Sequence, residues 1–64
     1  MKKQYRIRLL LSKRWIKTQA DITQVTYLIT APDKDIALKY AYELADEEFP
    51  GLLVIFTEIN PLFN

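Results

Sequence analysis

Between Tyr5 and Leu11 the chain alternates without a break, with Tyr5, Ile7, Leu9 and Leu11 on one side and Arg6, Arg8 and Leu10 on the other. A period of two is the mark of a half-buried strand, and this one has room to run on through Trp15 and Ile16. Residues 18–21, Thr-Gln-Ala-Asp, break the pattern without the Asn-Gly of a tight hairpin, so a looser turn is expected. The stretch ITQVTYLIT, 22–30, is rich in β-branched and aromatic residues and reads as a second strand, with Val25, Tyr27 and Ile29 on its inward face.

At APDKD the period changes. Pro32 cannot donate to a ladder, and Asp33 is suited to cap a helix. From Asp35 to Phe49 the apolar spacing is helical, with Ala37, Leu38, Ala41, Leu44, Ala45 and Phe49 on one stripe. Three alanines on that stripe predict a helix lying close to a sheet. FPG ends it, and LLVIFTEI, 52–59, reads as a third strand closed by Pro61. The order ββαβ, with a right-handed crossover through the helix, sets strand three parallel to strand two and lets it pair antiparallel with strand one. The expected fold is one α+β domain over residues 1–64: a wholly antiparallel three-stranded sheet, order 2-1-3, with one helix on one face.

Composition changes this picture mainly by exclusion. A chain of 64 residues buries only about 60% of the surface its unfolded form exposes, so its core is small. Small domains are often secured by disulfides or a metal, but there is no Cys and no His, which removes disulfides and the usual zinc sites. Ser12 is the sole Ser and Gly51 the sole Gly, so neither an activated nucleophile nor a Gly-rich phosphate loop is available. Glu43 and the DEE run at 46–48 point in different directions around a helix and do not converge on a metal; they read as a solvated face. No enzymatic activity and no cofactor are expected. Arg6 and Arg8 fall where the apolar part of an export signal would begin, and the longest apolar run, Leu52 to Phe56, is too short to span a bilayer. A cytoplasmic protein without membrane attachment is the expectation.

The net charge is only +1, but it is polarised. Residues 1–20 hold seven cations and no acid, and residues 21–64 hold two lysines against eight acids. With the helix on one side of the sheet, Arg6, Arg8 and Leu10 of strand one and Thr26 and Leu28 of strand two lie on the other. Strand three is apolar on both sides, Leu53 and Ile55 on one and Leu52, Val54 and Phe56 on the other. The bland reading is that flanking loops and the PLFN tail fold over this face. The functional reading is an interface, because arginines among aliphatics are not an ordinary solvated sheet surface. The residues expected to carry it are Arg6, Arg8, Leu10, Lys13, Arg14, Trp15, Lys17, Leu28 and Phe56. Their charge favours an acidic protein partner. Nucleic acid is the alternative, with the cations on phosphates and Trp15 stacked on a base. Pairing two such faces would oppose like charges, so a monomer or weak dimer is expected in isolation.

The stretch TAPDKDIALKYAYELADEEFPG, followed by VIFTEINP, resembles the cadence of small phage-encoded ββαβ proteins, such as the podophage inhibitors of host RNA polymerase. The likeness covers roughly residues 28–61 and lies mostly in small and apolar spacing. It implies a stoichiometric inhibitor or modulator of a host protein and assigns no individual contact residue.

Overall fold

A computed structural model describes residues 2–13 and 22–62. Its elements are β1 (Lys3–Ser12), β2 (Thr23–Ala31), α1 (Lys34–Glu48) and β3 (Leu53–Leu62), in a single sheet of order β2-β1-β3. Both pairings are antiparallel, so the architecture is the expected α+β, ββαβ arrangement. Continuation of the first strand through Trp15 and Ile16, and the turn at 18–21, lie outside the described residues.

The alternation in β1 is what builds the core. Ile7 and Leu9 are fully enclosed, and Tyr5 and Leu11 nearly so, under the helix. Ala37, Ala41 and Ala45 meet them from α1, one small residue per turn, which lets the helix backbone settle onto the sheet. Leu38 and Phe49 flank that track half-buried, but Leu44 does not join it and is 38% exposed. The alanine track is spaced i, i+4, i+8; Leu44 precedes Ala45 and therefore points about 100° away from it.

The helix termini follow their local chemistry. Asp33 has extended backbone and its side chain accepts from the Ile36 N–H at 3.0 Å, an N-cap. At the other end the Phe49 N–H donates to the Ala45 carbonyl at 2.8 Å, and the Leu52 N–H to the Phe49 carbonyl at 3.2 Å. Pro50 and Gly51 are the central residues of that turn, and Gly51 has φ 88°. Proline first and a positive-φ glycine second is the pattern of a type II turn.

Strand three departs from expectation in two ways. It does not close at Pro61 but runs on to Leu62, with Pro61 opposite Tyr5. Because β3 is an edge strand, a residue lacking an N–H can be accommodated on its unpaired side. The second departure is a register shift between Leu10 and Leu11: Leu10 faces Phe56, whereas Leu11 faces Val54. Ile55 is the extra residue of a β-bulge. Val54 therefore packs on the core and Phe56 faces the other way, although simple alternation places them together.

Candidate functional site: the open face of the sheet

The registers place the open face in rows that cross all three strands. From one end these are Thr30–Gln4–Leu62, Leu28–Arg6–Asn60, Thr26–Arg8–Glu58 and Gln24–Leu10–Phe56. Past the bulge Ser12 pairs with Leu53, but Ser12 is fully buried, so the exposed surface does not extend over it. Of the PLFN tail, Pro61 and Leu62 are built into β3. Leu28 is left 73% exposed, Phe56 45% and Leu53 40%. The face is thus a basic centre between apolar positions: Leu28 beside it, and Leu10, Phe56 and Leu53 towards the bulge.

The two arginines differ in their surroundings. Arg8 Nη2 lies 2.8 Å from Glu58 Oε1, its direct cross-strand neighbour on β3. Each side chain remains more than 40% exposed, so the pair is worth only about 0.2–1 kcal/mol. Arg8 is therefore not the unopposed cation that the acid-free first segment suggests; its counter-charge arrives from the far end of the chain. Arg6 is flanked by Leu28 and Asn60, and among the described residues no ion pair engages it. Lys13 is exposed just beyond the end of β1. Arg14, Trp15 and Lys17 lie outside the described residues.

On the helix side, Tyr27 points under α1 as expected, and its hydroxyl donates to Glu48 Oε1 at 2.5 Å. Burial, then this hydrogen bond and the carboxylate's charge, push the hydroxyl's pKa up to about 12. Glu48 thus ties the helix to β2, a structural task beyond the solvated role expected of the DEE run. Tyr42 and Thr57 share a hydroxyl–hydroxyl bond of 3.0 Å that links α1 to β3. Among the described residues no group of three His, Cys, Asp or Glu side chains converges to hold a metal. No helix among them is long and apolar enough to cross a membrane.

The sequence pattern brings Arg6, Arg8, Leu10 and Leu28 to one face and leaves open which side of strand three joins them; the structure adds Phe56. It missed Asn60 and Glu58 as members of that face. Glu58 is the one acid in β3, which was the available signal; placing it opposite Arg8 required the register. No family model, no curated protein and no solved structure matches this chain.

Proposed function

We propose that this protein is a non-enzymatic protein-binding module that docks on an acidic partner surface through the open face of its sheet. The observation that carries the reading is Arg6, a cation without an ion pair among the described residues, set beside exposed Leu28, with the Leu10–Phe56 pair two rows along the same face. An arginine beside apolar contact residues suits a partner carboxylate flanked by its own apolar surface. Sheets that bind single-stranded nucleic acid stack bases on several aromatics. On the described open face Phe56 stands alone in that respect, which favours protein over nucleic acid. The resemblance noted above extends the proposal to a stoichiometric modulator of a host protein, encoded by a phage or mobile element and acting in the cytoplasm.

The test is affinity capture from host lysate with the wild-type chain and with Arg6→Glu side by side. The expected result is an acidic protein retained at one-to-one stoichiometry, released by salt and lost in the variant. Retention of nucleic acid in its place, or equal retention by the variant, overturns the reading.

A further inference from the structure

Two cations and one acid stand in the four rows of the open face: Arg6, Arg8 and Glu58. Arg6 and Arg8 lie two residues apart on β1, a separation of about 6.8 Å along the strand. Two arginines so spaced, if both were free, would suit neighbouring phosphates of an extended single strand. Glu58 prevents that. Its Oε1 holds Arg8 Nη2 at 2.8 Å, and the adjacent Nε of Arg8 is enclosed and has no hydrogen-bond partner among the described residues. The Nε–Nη2 edge, with which an arginine grips an oxyanion through two hydrogen bonds, is therefore closed. A phosphate brought to Arg8 also meets the Glu58 carboxylate, half-exposed in the same row. Arg6 differs on each count. It is exposed, it stands one row along between Leu28 and Asn60, and it lies on the diagonal from Glu58, about 7–8 Å away.

We propose that Glu58 is the selectivity residue of the open face. By occupying Arg8 it leaves Arg6 as one isolated cation beside apolar contacts. The face then accepts a protein surface that presents a single carboxylate, and it rejects a run of anions such as a nucleic-acid backbone. The inference rests on the open face being the docking surface, and it narrows the acidic partner proposed above. Charge placement supports it. β3 holds one acid, and that acid falls directly opposite Arg8 on the open side. An acid that served solubility alone has the exposed surface of α1 available, where Glu43, Asp46 and Glu47 already stand. At position 58 it cancels one of the two cations in the rows, removing half of the charge that a polyanion would use.

Fluorescence anisotropy of a labelled single-stranded oligothymidylate tests this with the wild type, Glu58→Gln, Arg8→Gln/Glu58→Gln and Glu47→Gln. Glu58→Gln is expected to bind about tenfold tighter than the wild type at ~50 mM salt, with a log–log salt slope steeper by about 0.7, as one more neutralised phosphate requires. The double variant frees no cation and should return to wild-type affinity. Glu47→Gln changes the net charge equally but on the exposed surface of α1, across the sheet from the open face, and should gain about twofold at most. A second measurement needs no variant. When the oligonucleotide is added to the wild type, the side-chain Nε–H signal of Arg6 should move in NMR spectra and that of Arg8 should stay in place. The proposal is overturned by no gain in Glu58→Gln, by an equal gain in Glu47→Gln, by a gain that survives in the double variant, or by Arg6 and Arg8 signals that move together. No partner protein enters these measurements, so their outcome is read separately from that of the lysate capture.

Discussion

Reversing the charge of Arg8 should cost stability, and reversing that of Arg6 should not. The two residues sit two positions apart on the same strand face, and a reading from sequence treats them alike. Arg8→Glu removes the 2.8 Å pair with Glu58, worth about 0.2–1 kcal/mol at this exposure. It also sets two carboxylates directly across the β1–β3 ladder, which adds about 1 kcal/mol of repulsion in a water-like dielectric. The total, roughly 1–2 kcal/mol, corresponds to a drop in thermal midpoint of roughly 5–15 °C for a domain of this size. Arg6→Glu meets Leu28 and Asn60 across the sheet, with Arg8 and Glu58 one row along nearly cancelling each other. Its effect should stay within about 0.5 kcal/mol. The assay is thermal and urea unfolding of Arg6→Glu, Arg8→Glu, Glu58→Arg and the Arg8→Glu/Glu58→Arg swap. The swap should recover most of what either single reversal loses, as a double-mutant cycle requires of a direct pair. Equal losses for Arg6→Glu and Arg8→Glu, or a swap no better than the single reversals, would refute this account of the face.

Three further outcomes are expected. The Tyr27 hydroxyl titrates near 12 in the folded chain against an ordinary value of 10.0, so its stabilising contribution is complete below pH 10 and is lost as pH rises through 12; urea midpoints measured across that window should fall less steeply in Tyr27→Phe. Gly51→Ala should destabilise by about 1 kcal/mol or more through its φ of 88° alone, since an added Cβ meets nothing within 4 Å; a D-alanine placed there by chemical synthesis should be tolerated. Ala41→Leu should cost about 1–3 kcal/mol in denaturant unfolding, because Ala41 is fully buried where the helix meets the sheet.

The elements, their order and the sheet topology could be read from the chain because each depends on short-range chemistry. Alternation from Tyr5 to Leu11 needs only the pleat, the Asp33 cap needs only the next helical turn, and the Pro50–Gly51 turn needs only its own dihedrals. The handedness of the crossover then orders the strands. What tertiary structure alone decided is how β3 is set against β1. Val54 and Phe56 are both apolar, so periodicity is silent about a bulge between them, yet that one extra residue turns Val54 into the core and Phe56 onto the open face. A one-residue change in register exchanges every side chain between faces. The same register brings Glu58 to Arg8 across some fifty positions of chain and leaves Arg6 between Leu28 and Asn60. Leu44 has a comparable history: it fits an apolar helical stripe, but the close seat allowed by Ala37, Ala41 and Ala45 fixes the helix rotation that exposes it. Local pattern determined which segments are strands and helix, and long-range register determined which charges and apolar groups share a surface.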